Sequence, residues 1–323
     1  MLKNINFHNN GVFFLTTLIN SAICYTLYGL VGALFGVITV LFANIVYQAN
    51  DEKNNVFYMV FLLSMIIVGG SVGYFLKLSG PFYLFLFATT YFYYITFNKD
   101  PFIDRVMPFF IIFSCMATTL TTVSIQLPLS FFTGICVSLG VLTILKHKKY
   151  DNNAFRNGLF SRELYQSDHR LALRAFIYTS FLFLSLAIPD YLGLYRVFWA
   201  PLTFAVLLRP MEVNIIKKTV HRFLGSLLGA ILVSFLFHFL LLKNIYIDLT
   251  LISIVIFLMP SFLQSQNYLI KTFGITIFVL LLLEEADFWQ DPTYLLPISR
   301  IYETLLGGSL AICASLVLKR VRK

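Results

Sequence analysis

Residues 222–242 read Arg222-Phe223-Leu224-Gly225-Ser226-Leu227-Leu228-Gly229 and continue as Ala230-Ile231-Leu232-Val233-Ser234-Phe235-Leu236-Phe237-His238-Phe239-Leu240-Leu241-Leu242. After the arginine no Asp, Glu, Lys or Arg interrupts the run. At 1.5 Å per residue it is long enough to cross about 30 Å of hydrocarbon as a helix. Gly225 and Gly229 are four residues apart and share a face, a small-x-x-x-small pattern that lets another helix backbone approach closely.

Comparable windows lie on both sides of this one. Six occur in the first half, at about 12–28, 30–47, 56–76, 81–97, 103–123 and 125–145. Six more follow a polar stretch, at about 173–191, 194–209, 222–242, 245–265, 268–285 and 298–318. Composition agrees: of 323 residues 59% are hydrophobic and only 12% charged, about half the charge of an ordinary soluble domain. That excludes a soluble enzyme and predicts an all-α polytopic membrane protein of about twelve transmembrane helices. The first run lacks the small residues of a cleavage point after Ser21-Ala22-Ile23-Cys24 and reads as a retained span.

The net charge of +9 is distributed between apolar runs, so it reports topology before it reports binding. With both termini cytoplasmic, twenty of the 24 Lys and Arg residues fall inside and only Lys77, Arg196, Lys243 and Arg300 outside. The positive-inside rule favours that orientation and gives no role to nucleic acid. The two halves echo each other: Gly69-Gly70-Ser71-Val72-Gly73 stands in the third window of the first half, where Gly225 to Gly229 stands in the second. Because six is even, the halves share one orientation, which predicts two parallel six-helix repeats about an axis along the membrane normal. The expected organisation is a first module over 1–145, a short basic cytoplasmic connector over 146–172 and a second module over 173–323.

Catalysis has little to stand on. The five histidines have no nucleophile, carboxylate pair or ligand spacing around them, and Cys24, Cys115, Cys136 and Cys313 lie in apolar runs without paired spacing. No enzyme, metal or cofactor is expected. Arg170 and Arg174 are i,i+4 neighbours on one helical face, and Arg209, Lys217, Lys218, His221 and Arg222 flank the next two crossings. Together they read as a basic mouth for a carboxylate, although lipid phosphates would also account for the lysines. Arg222 stands out because its planar guanidinium, set directly at the start of an apolar run, can bond a carboxylate bidentately. Glu303 is a carboxylate inside a predicted span, three residues after Arg300: either an ion pair that lowers the cost of both charges, or a coupling or gating group. Pro201 and Pro260 are expected to interrupt their spans and expose backbone to substrate, and Trp199 beside Pro201 offers an aromatic face.

Arg174 at the mouth of a span, then Phe198-Trp199-Ala200-Pro201-Leu202-Thr203, Arg209-Pro210, Arg222-Phe223-Leu224-Gly225-Ser226-Leu227-Leu228-Gly229, Asn267-Tyr268 and Arg300-Ile301-Tyr302-Glu303-Thr304-Leu305-Leu306-Gly307 follow one another in the second half. This order resembles the fusaric acid resistance protein-like (FUSC) family, among the aromatic acid exporters, over roughly 165–320. The resemblance implies a bacterial inner-membrane protein exporting aromatic carboxylic acids of the fusaric acid or hydroxybenzoate type; related plant proteins are anion channels of the malate type. Many bacterial members carry a large cytoplasmic domain, where this chain has only its short connector. The expected binding residues are Arg174, Trp199, Arg209, Arg222 and Tyr268, the coupling or gating residues Arg300 and Glu303, and the packing residues Gly69, Gly73, Gly225 and Gly229. The expected partners are a small organic anion and membrane lipid, with a second copy of the chain or a periplasmic adaptor as protein partners. The alternatives are an anion channel and a membrane subunit of an adaptor-dependent efflux complex.

Overall fold

The computed structural model describes residues 7–47, 56–119, 125–146, 164, 166–210, 214–238, 245–287 and 295–322. Most of the connector lies outside these. The described residues form eleven helices and no strand: α1 (Phe7–Tyr47), α2 (Val56–Leu76), α3 (Gly80–Thr96), α4 (Pro101–Ala117), α5 (Gln126–Lys146), α6 (His169–Tyr191), α7 (Trp199–Leu207), α8 (Ile215–Leu236), α9 (Ile245–Gln264), α10 (Tyr268–Asp287) and α11 (Leu295–Arg322). α1 is kinked at Gly29, whose φ of 72° lies in the left-handed region that a side chain disfavours. Its two arms, Phe7–Gly29 and Gly32–Asn44, correspond to the first two windows of the sequence. Asn20 braces them, donating from Nδ2 to the Gly36 carbonyl at 2.8 Å and to Thr39 Oγ1 at 3.0 Å.

Twelve helical segments thus stand where twelve windows were expected, and the chain is a polytopic helical membrane protein. Five segments, Phe7–Gly29, Pro128–Leu145, His169–Tyr191, Ile215–Leu236 and Leu295–Val321, are long and apolar enough to cross a membrane by length and composition. The window at 194–209 holds only the nine residues of α7, which rise about 14 Å, half the hydrocarbon thickness. Pro201 is the third residue of α7, within the first turn, where a missing N–H costs no helical bond. Pro260 does not break its span as expected: α9 runs through it to Gln264. Pro108 and Pro189 are likewise carried inside α4 and α6, since neighbouring helices and side chains compensate for the lost bond in such bundles.

In the first half α1 packs on α5 and α2 on α4. In the second half α11 packs on α6 and α7, and α8 on α10. The halves meet along α3 with α6 and along α1 with α9. At the first seam Tyr83 Oη donates to Asp190 at 3.0 Å, and at the second Asn10 Nδ2 donates to Ser261 Oγ at 2.8 Å. One apolar core, including Phe82, Tyr178, Trp199, Phe204 and Leu280, runs from α3 into the second half. Others fill the first half around Phe42 and Phe131, and the α1–α9–α10 junction around Met259.

The expected packing glycines sit at these seams. A Cβ on Gly73 would overlap the Ser114 carbonyl of α4, and one on Gly69 would stand 2.7 Å from Ser114 Oγ. A Cβ on Gly225 would stand 2.7 Å from the Leu269 carbonyl, and one on Gly229 3.0 Å from Thr276 Cβ, both in α10. Gly307 faces the Ala200 carbonyl of α7 just as closely. Small residues let these helices approach to backbone contact, and that approach brings the charged residues of α8 and α11 to the start of α7.

Candidate functional site

Chain 192–198 leaves the end of α6 and turns inward, so that α7 begins at a fully buried residue, Trp199. A helix start exposes main-chain N–H groups that must find acceptors. Glu303 of α11 supplies them: its carboxylate accepts from the amide of Arg196 at 3.2 Å and from that of Trp199 at 3.1 Å, with the Ala200 amide beside them. Arg300 acts on this carboxylate electrostatically, while its hydrogen bonds go to the main-chain amides. The carboxylate closes the N-terminus of the half-length helix, where the helix dipole also favours a negative group.

Arg300 lies one turn earlier on α11 with its guanidinium carbon 5.1 Å from the Trp199 ring centre, a cation–π arrangement. It is 2% exposed, and its Nε and Nη1 are buried without a hydrogen-bond partner. Arg222 of α8, also 2% exposed, comes close enough for the two charges to act on each other. Its Nη1 reaches Tyr268 Oη at the long distance of 3.5 Å, and its Nε is orphaned. The indole Nε1 of Trp199 and the hydroxyl of Thr203 complete a group of buried polar atoms with no protein partner.

Of the carboxylates whose burial is described, Glu303 alone is fully buried, and it is committed to main-chain amides. Two buried guanidiniums against one carboxylate leave a local charge of +1. Arg222 lies two turns inside α8 and is buried against its neighbours. Leaving charged donors unmet in a low-dielectric interior costs several kcal/mol, so the arrangement is complementary to a bound monoanion.

Arg174 and Arg209 stand apart from this centre. They flank a cluster of tyrosines where α3 ends, α6 begins and α7 ends: the Arg174 guanidinium carbon lies 5.9 Å from the Tyr94 ring centre, and exposed Arg209 acts electrostatically on Tyr93 and Tyr178. The expected binding residues therefore divide into Trp199, Arg222 and Tyr268, which share a centre with Arg300 and Glu303, and Arg174 and Arg209, which do not. Sequence reasoning passed over Tyr93, Tyr94, Tyr178 and Thr203. For Tyr178 there was a signal, since it follows Arg174 by four residues and so shares its face.

An open crevice of about 410 Å³ lies in the first half, lined by Phe35, Ile66, Gly70, Tyr74, Phe113 and Phe131 among others. It contains no charged side chain and so has nothing to hold an anion. No group of three His, Cys, Asp or Glu side chains able to hold a metal occurs among the described residues.

Residues 183–314 match the family model of fusaric acid resistance protein-like proteins. The matched segment carries Trp199, Arg209, Arg222, Tyr268, Arg300 and Glu303, and so the whole of the buried cationic centre, while Arg174 and the first half lie outside it. No curated protein and no solved structure matches the chain.

Proposed function

We propose that the chain exports small organic monoanions, aromatic carboxylates foremost, across a bacterial inner membrane, with both termini cytoplasmic and the Arg222–Arg300 pair as the binding centre. Two buried guanidiniums with unmet donors, beside a carboxylate already engaged elsewhere, carry this reading. A carboxylate can bridge the two guanidiniums through charge-assisted bonds, and the Trp199 and Tyr268 rings suit an aromatic body. With the cytoplasm negative, each exported monoanion gains about 2.3 kcal/mol per 100 mV.

Glu303 favours flux driven by the potential over proton coupling. Its oxygens accept main-chain hydrogen bonds that define the start of α7, so protonating it would break a structural contact. In this respect the protein is closer to the anion-channel alternative than to a proton antiporter. The reciprocal seams, α3 on α6 and α9 on α1, support the parallel two-module organisation, in which each module's fourth helix meets the other's first.

The test is benzoate flux in proteoliposomes under an imposed potential or an imposed pH gradient. Flux should follow the potential. Arg222→Ala and Arg300→Ala should each lower it at least tenfold, while Lys217→Ala, at an exposed position, should leave it within twofold. Full flux in the Arg222→Ala protein at normal membrane abundance would remove the site, and dependence on the pH gradient alone would replace the mechanism by proton coupling.

A further inference from the structure

Where α3 meets α6, two tyrosines are sealed from solvent: Tyr93 is 1% exposed and Tyr178 is 0%. Their ring centres are 6.3 Å apart, and Tyr178 also packs against Tyr94 at 5.1 Å and Phe204 of α7 at 5.3 Å. Phenylalanine would fill such a core equally well without a polar atom. Yet the hydroxyls of Tyr93, Tyr178 and adjacent Thr179 are buried with no hydrogen-bond partner, as is Nε of Arg174. Leaving a buried donor unsatisfied costs about 1–3 kcal/mol, so four together are a substantial uncompensated cost in a purely structural core. Arg174 lies over the Tyr94 ring, and Arg209 is near enough to act on both buried hydroxyls, as Asp104 does on that of Tyr93, so two cations stand against one carboxylate around the junction.

We infer that this junction is a second anion-binding station, in which the phenols of Tyr93 and Tyr178 and the Thr179 hydroxyl donate to the carboxylate of a small aromatic acid while Arg174 and Arg209 supply the positive charge. The station differs from the Arg222–Arg300 centre in chemistry: neutral hydroxyls do most of the donating and the cations stand at the side, so it holds an anion less tightly. α7 joins the two. Trp199, at its start, stacks on Arg300, while Phe204 packs on Tyr178 and Arg209 follows its end; the helix spans about 14 Å between the stations. An anion passing along α7 would move from hydroxyls into guanidiniums. That role in transport rests on the function proposed above; binding at the tyrosines does not.

The test reads binding and flux separately, with benzoate as the probe. In the purified protein, benzoate should raise the thermal unfolding midpoint, and part of that shift should persist in the Arg222→Ala background. Adding Tyr93→Phe and Tyr178→Phe should abolish the persistent part, because only the hydroxyls are lost and the ring packing stays. Thr179→Val, which keeps the shape, should weaken it in the same direction and serves if the double phenylalanine variant does not fold. In otherwise wild-type protein the two phenylalanines should raise the KM for benzoate flux at least tenfold and leave kcat within about threefold. A benzoate shift absent from Arg222→Ala protein, or unchanged by the tyrosine substitutions, would overturn the station. A persistent, tyrosine-dependent shift in a protein that carries no benzoate flux would uphold the station and overturn the transport reading alone.

Discussion

Glu303 decides where α7 can begin. A helix start inside a membrane protein has no water to satisfy its amides, and a carboxylate from a neighbouring helix is a strong acceptor for them. Glu303→Gln keeps one acceptor oxygen but turns an NH₂ group toward a main-chain donor. We expect it to lower stability by about 1–3 kcal/mol, read as a fall in the detergent unfolding midpoint. Arg300→Gln added to it should not restore that loss, because the hydrogen bonds lost are those from the main-chain amides, which Arg300 does not make. Recovery in the double variant would show that the two side chains act as an ion pair after all. Glu303 could be read directly from the sequence, since a charge inside an apolar run is too costly to be incidental, and Arg222 and Arg300 stood out beside it, one at the start of an apolar run and one three residues before the carboxylate. Tyr93 and Tyr178 could not, because a tyrosine is at home in any membrane span and only its missing partners mark it out.

At the scale of the helix, the small residues set how closely the charged helices approach. α8 lies against α10 through Gly225 and Gly229, and α11 against α7 through Gly307. Gly225→Leu would push a branched side chain into the Leu269 carbonyl and Thr272, and should sharply reduce folded protein in the membrane, overpacking of this kind costing about 1–3 kcal/mol or more. Leu228→Ala, one turn on at a position 48% exposed, should be tolerated. Equal yields of the two variants in detergent extracts would remove the close-packing account. The four-residue spacing of the glycines predicted which face packs, but not against which helix. The half-length α7 was visible only as a short window: its start depends on Glu303, a hundred residues away in sequence.

For the whole molecule, orientation is the testable quantity. The proposed orientation, with both termini cytoplasmic, requires the end of the bundle holding Arg174 and the tyrosine cluster to face inward and the opposite end of α3, at Ser79, to face outward. Lys99 ties the inward end to the connector, donating from Nζ to the carbonyls of Leu164 and Gln166. In a background without the four native cysteines, Ser79→Cys should react with an impermeant thiol reagent in intact cells, and Gln166→Cys only after permeabilisation. The reverse pattern would invert the topology and with it the direction of transport. The number of helical segments, their approximate limits and the charge bias were determined by the sequence alone, because hydrophobic length and the placement of Lys and Arg act locally. The tertiary structure decided which charges meet. It placed Arg222 beside Arg300 and apart from the other arginines, gave Glu303 to the backbone of α7, and set Arg174 and Arg209 among tyrosines. Those outcomes depend on helix pairing across long stretches of chain, where the approach of two backbones, and not the spacing within either, brings charges into contact.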